Sequence, residues 1–196
     1  MRGVVWFRKD LRIDDNPALT NALDSCEEVI GIYIFSELQW KAHNESNVKL
    51  EFLIENLTLL ETSLSKLNIP LVTIKTESFD SLPKDLCSFV GSNKVEQIFW
   101  NNEFGANESK RDLLSCTMLE KENVKASRFD DQVIYEPGYL KTGQGKPFSV
   151  FTPFKRRWIE NFEMDFLDIN YKHSAKKPMN IESDLSKIEF ARTHSV

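Results

Sequence analysis

What most constrains this chain is a succession of short, β-branched-rich apolar runs with helical periods between them. The runs fall at Gly3 to Phe7, Val29 to Phe35, Leu71 to Ile74 and Val95 to Trp100, with a weaker one at Val124 to Phe129. Apolar runs of this kind, without polar alternation, mark strands buried on both faces. The clearest intervening helix carries Leu50, Leu53, Leu57, Leu60, Leu64 and Leu67. Their alternating three- and four-residue spacing draws one core-facing stripe, which the sequence Leu67-Asn68-Ile69-Pro70 stops. Weaker helices are expected at Pro17 to Leu23, where Asn16 is placed to cap and Pro17 takes the first helical position, at Ser81 to Phe89, and at Asn107 to Glu120. The alternation predicts an α/β fold: a five-stranded, doubly wound parallel sheet, Rossmann-like, with helices on both faces and complete near residue 130.

The chain has 196 residues and is 41% hydrophobic, enough for one domain with a sizeable core. Cys26, Cys87 and Cys116 are odd in number and form no C-x-x-C pair, so neither a disulfide framework nor a zinc site is suggested, and a reduced, cytoplasmic setting is expected. The first 20 residues lack a signal-peptide apolar region, and no run approaches the roughly 18 apolar residues of a membrane span. A monomer without membrane contact is expected. The formal charge of -5 argues against this chain being, by itself, a main phosphate-neutralising surface for nucleic acid.

After Phe129 the character changes. Residues 131–165 carry turn residues, aromatics and prolines, and are expected to form an ordered loop packed on the sheet, with a short helix at Pro153 to Phe162. Lys155, Arg156 and Arg157 sit there among aromatics, and the acids that follow favour a solvated or domain-docking face over a nucleic-acid one. Residues 166–196 are polar and aperiodic and read as an interdomain linker.

In open α/β sheets, ligands bind beyond the carboxyl ends of the strands where strand order reverses. The first turn that could border such a site is Arg8-Lys9-Asp10-Leu11-Arg12-Ile13-Asp14-Asp15-Asn16. It holds no glycine, which excludes the usual dinucleotide loop. The Gly145-Lys146 pair is followed by Pro147, where a phosphate loop needs Ser or Thr opening a helix. No nucleophile with a base is visible, the histidines being His43, His173 and His194, and no catalytic or metal residues are assigned. Arg8, Asp10 and Arg12 read as a salt-bridged turn bordering a pocket or a domain interface. Asn107 and Glu108 suit, without any ligand, the N-cap and first turn of a helix.

The segment Val4 to Leu19, VVWFRKDLRIDDNPAL, closely resembles the opening of DNA photolyases and cryptochromes, W-F-R-x-D-L-R followed by D-N-x-A-L. Trp6, Phe7, Arg8, Asp10, Leu11, Arg12, Asp15, Asn16, Ala18 and Leu19 all match. Gln39 to Asn44, Asn101 to Asp112 and the glycine-spaced Gly138 to Trp158 support it, so the similarity covers about residues 1 to 160. The resemblance implies the N-terminal antenna-chromophore domain of a folate-type class I photolyase that repairs cyclobutane pyrimidine dimers in DNA. In that family a helical C-terminal domain, absent from this chain, binds FAD and the damaged DNA, so this chain alone is expected to be inactive. The implied antenna is 5,10-methenyltetrahydrofolate, with His43, Asn107 and Glu108 as its matched contacts. The chemistry is sensible, because a pterin edge offers two adjacent donors and a carboxylate accepts both in a fork. The alternatives are the same domain of a cryptochrome blue-light receptor, or a stand-alone folate- or nucleotide-binding module.

Overall fold

The computed structural model describes residues 1–162 and 173–193. The elements are β1 (Arg2–Phe7), α1 (Pro17–Ser25), β2 (Glu28–Phe35), α2 (Glu37–Ala42), α3 (Asn47–Ser65), β3 (Leu71–Lys75), α4 (Leu82–Ser92), β4 (Gln97–Asn101), α5 (Ala106–Lys121), β5 (Lys125–Phe129), α6 (Phe151–Glu160) and α7 (Ser186–Thr193). The strands form one five-stranded sheet in the order β3-β2-β1-β4-β5, every pairing parallel. The expected doubly wound sheet is therefore present. Its order reverses between β1 and β4, where a ligand crevice belongs.

Alternation along β1 divides the core. Val5 and Phe7 join Leu19, Leu23, Leu57, Leu60 and Leu64 in the layer under α1 and α3. Val4 and Trp6 join Leu86, Val90, Trp100 and Leu119 in the layer under α4 and α5. Side chains two apart share a face of a strand, so one strand serves both layers. At α1 the Asn16 side chain accepts the Leu19 N–H at 3.1 Å, with Pro17 at the first helical position, as the sequence predicts.

Four features differ from the sequence expectations. A short helix, α2, follows β2, started by Ser36, whose hydroxyl accepts the Gln39 N–H at 3.3 Å; six residues are too few to show a helical period. The N-cap of α5 is Gly105, so Asn107 and Glu108 stand at its second and third positions and Asn107 is not the cap. The expected short helix appears as α6, but it buries none of its residues, so the aromatic segment is not packed into the sheet core.

The last difference concerns the expected linker, residues 166–196, of which 166–172 and 194–196, His194 included, lie outside the described residues, as do residues 163–165 of the expected loop. From His173, whose ring bonds the Ile13 carbonyl at 2.9 Å, the segment passes the ends of α1 and α3, where the Lys176 N–H donates to the Leu67 carbonyl at 2.8 Å and the Lys177 N–H to the Glu27 carbonyl at 3.2 Å, and from Ser183 it follows the edge of the sheet. The Asp184 N–H donates to the Leu71 carbonyl at 2.9 Å and its carbonyl accepts the Thr73 N–H at 3.1 Å, a parallel bridge to the outer side of β3. Met179 and Ile181 pack on one core layer, and Leu185 and Ile188 on the other. The segment thus covers an edge strand, whose free N–H and C=O groups would otherwise be open to pairing with another chain. Four apolar side chains, divided between two faces, leave no period in the sequence.

Candidate functional site

A cavity of about 630 Å³ opens beyond the carboxyl ends of the strands, lined by residues following β1, β2 and β4, with α2 and the start of α3 on one side and the start of α5 on the other. That size is ordinary for a small-molecule site, roughly 300–1,000 Å³. His43, Asn107 and Glu108 all line it. His43 arrives as the C-cap of α2, and that helix also stacks Trp40 on Phe35 with ring centroids 5.2 Å apart. Leu50 and Leu53, read from sequence as core stripe, border the same cavity.

Glu108 owes its position to the glycine three residues before it. A Cβ built on Gly105 would meet the Glu108 Oε2 at 2.0 Å. The carboxylate lies back over the N-terminus of α5, where unpaired N–H groups and the helix dipole favour negative charge.

The charged turn after β1 forms one wall and is held by partners far away in sequence. Arg8 Nη1 donates to both Asp112 carboxylate oxygens, at 3.0 and 2.8 Å, and lies 3.7 Å from Glu103. Arg111 donates to Glu103 at 2.9 Å and to Asp112 at 2.7 Å, and Lys9 reaches Glu103 at 3.1 Å. Both guanidinium carbons sit over the Trp6 ring, 5.0 and 4.8 Å from its centroid, so cation–π attraction adds to the ion pairs. Asp10 is a second hub: it accepts the Arg8 N–H at 2.7 Å and the Asn101 side-chain N–H at 2.6 Å. Asn101 also donates to Asn16 at 2.9 Å and accepts the Ala18 N–H at 3.1 Å. Arg12 pairs with Asp131 at 3.0 Å. The cluster is a buried scaffold that fixes the switch-point loops, and it bears on ligand binding by shaping the cavity.

The electrostatics fit a binding site. Burial alone would push the Glu103 carboxyl up; Arg8, Arg111 and Lys9 together outweigh it and hold the group below the ordinary glutamate range. The Tyr33 phenol, which lines the cavity, is pushed well above its usual value by burial and then by Glu103 and Glu45. It stays protonated and available as a donor. Among the described residues no cluster of three His, Cys, Asp or Glu side chains is placed to hold a metal. What the site offers is a half-apolar slot with stacked aromatics, a carboxylate, an amide and an imidazole on its rim.

The sequence reading missed Asn101, Glu103, Arg111 and Asp112. The signal was present in α5, where Arg111, Asp112 and Ser115 occupy the buried face, and buried charge on a helix demands partners. The predicted Asn107 and Glu108 sit on the same helix one turn earlier, at the rim.

Comparison with known proteins shows consistent matches. The profile of the DNA photolyase family matches residues 3–178. The deoxyribodipyrimidine photo-lyase of Vibrio cholerae is 34% identical over 160 residues, 82% of this chain and 34% of that protein. The Escherichia coli protein of the same name is 35% identical over 158 residues, 80% of this chain and 33% of that one. A crystal structure of a bacterial class III photolyase from Agrobacterium tumefaciens superimposes with a TM-score of 0.74 at 25% identity, over 95% of this chain and 37% of that one. The chain thus spans about a third of the length of these relatives.

Proposed function

This chain belongs to the DNA photolyase family, and from that premise we propose that it is the light-harvesting domain of a deoxyribodipyrimidine photo-lyase and that its cavity takes 5,10-methenyltetrahydrofolate. The observation that carries the reading is the convergence of His43, Asn107 and Glu108, from two separate elements, on one cavity of suitable size.

The donor set suits the folate. Glu108 is a two-oxygen acceptor for the adjacent ring N–H and amine of a pterin, and Asn107 supplies both a donor and an acceptor for the neighbouring edge. His43 and the Phe35–Trp40 stack present flat surfaces to a conjugated ring. Bound there, the folate supplies near-UV and blue absorption whose excitation passes to FAD. The protein's own part is to bind, orient and exclude water. The ion-pair wall of Arg8, Arg111, Glu103 and Asp112 keeps the rim rigid, and the apolar Leu50 and Leu53 shield the opposite side. FAD binding and lesion repair belong, in this proposal, to a helical domain outside this chain. The chain alone is then without repair activity.

The test is a titration of the chain with methenyltetrahydrofolate, followed by absorbance and fluorescence, alongside a Glu108→Ala, His43→Ala variant. Saturable binding weakened at least tenfold in the variant supports the site. Equal binding by both, or a repair activity of this chain on dimer-containing DNA, rejects the reading.

A further inference from the structure

We propose that residues 137–159 form a phosphate-contacting face that helps hold duplex DNA. These residues contain Lys141, Lys146, Lys155, Arg156 and Arg157 and not one of the chain's 30 acidic residues, so the remainder of the chain is net -10. All five cations are exposed. Among the described residues the only carboxylate within ion-pair distance of them is Glu160, 3.9 Å from Arg157, and both partners there are more than half exposed. Such a pair is worth little in water.

The aromatic side chains of the segment explain how it presents this charge. Tyr135 packs edge-on against Trp158 at 5.6 Å, Trp158 stacks on Phe162 at 5.2 Å, and Phe148 meets Phe154 at 5.9 Å. Phe154 and Trp158, four apart on α6, therefore turn toward these ring contacts. Arg156 falls on the far side of the helix, with Lys155 and Arg157 flanking it. The rings form a small satellite cluster, with Arg156 pointing away from it and Lys155 and Arg157 to either side. A run of exposed cations without an acid in sequence, on an otherwise acidic molecule, is the electrostatic footprint of a phosphate backbone, while the acidic remainder keeps the polyanion to this segment. A protein surface would call for mixed charge here. Glu160, the first of the acids that follow, stands one turn after Arg156 on the same side of α6 and pairs only loosely with Arg157.

That the polyanion is DNA rests on the function proposed above; the charge argument does not. Phosphate contacts carry no lesion information, so this face acts alike on damaged and intact duplex.

The experiment is fluorescence anisotropy of a labelled duplex, intact or dimer-containing, against this chain over a range of salt concentrations. A K155Q, R156Q, R157Q variant is compared with a control carrying K94Q, K121Q and K125Q, exposed lysines elsewhere on the surface. The slope of log affinity against log salt is expected to shrink by about 2.7 in the first variant, each lost phosphate contact removing about 0.9. It should stay unchanged in the control, and both duplexes should behave alike. No duplex binding by the parent chain at 50 mM salt, or an unchanged slope in the first variant, overturns the proposal. The latter is the outcome if the face docks a protein surface instead. Folate titration of the parent chain separates the two readings: an unchanged slope in the first variant with saturable folate binding strikes only this proposal, and a reduced slope without folate binding strikes only the folate reading.

Discussion

Glu103 carries the clearest titration in the fold. Its carboxyl is held below the ordinary glutamate range, because Arg8, Arg111 and Lys9 outweigh the upward push of burial. A depressed folded-state value means that the unfolded chain binds the proton more readily. The stability it contributes is complete above the ordinary glutamate value and is lost as pH falls through the lower, folded one. Urea midpoints measured from pH 7 down to pH 3 should therefore fall, and Glu103→Gln should flatten part of that decline while costing about 3 kcal/mol at pH 7. An unaltered pH profile in the variant would show that the pairing contributes nothing. Asp131 works with the opposite sign, since burial and then Asp10 push its carboxyl up despite Arg12. Gly105 makes a second prediction at this scale. Gly105→Ala sets a Cβ against the flexible end of Glu108, so stability should change by less than about 1 kcal/mol while folate affinity drops about tenfold. Calorimetric titration beside thermal unfolding separates the two effects. From sequence, Arg8, Asp10 and Arg12 were legible as a salt-bridged turn; their partners Asp112, Asn101 and Asp131 were not, because each lies about 90 to 120 residues away.

Among the elements, α7 and the segment before it hold the sheet from its edge. Ile188 is 1% exposed and joins the layer under α3. Ile188→Ala should destabilise by about 2–4 kcal/mol, the loss expected for a fully buried aliphatic side chain, read from denaturant midpoints. A chain ending at residue 172 should in addition self-associate, because the N–H groups of Leu71 and Thr73 lose Ser183 and Asp184 as acceptors. Sedimentation showing only monomer would contradict this role. Helix α2 teaches the converse about legibility. Ser36 caps it and Glu37 stands in its first turn, yet a helix so short gives periodicity nothing to detect, and it is the element that carries Trp40 and delivers His43.

For the whole molecule, stability is distributed unevenly. The central strands β1, β2 and β4 are nearly all buried, while α6 buries no residue. Native-state hydrogen exchange should then be slowest in those three strands and faster by several orders of magnitude across residues 137–159, which open locally without unfolding the sheet. Uniform protection across both regions would mean that the aromatic segment is coupled to the core. The same unevenness fits the proposed division of labour, a rigid cavity at the switch point and a lightly held cationic face beside it.

The sequence by itself determined the strands, the main helices and hence the sheet class, because these follow from local periodicity and caps that any chain of this pattern must satisfy. The family resemblance added candidate positions, His43, Asn107 and Glu108, without showing that they meet. Only the tertiary structure decided that they share one cavity, that buried Asp112 and Glu103 hold the cations of the first turn, that α6 stands off the core, and that the segment from Ser183 covers the sheet edge. These depend on contacts between residues distant in the chain, and a contact of that kind leaves no spacing rule behind it; the energy that fixes it exists only once both partners have been removed from water together.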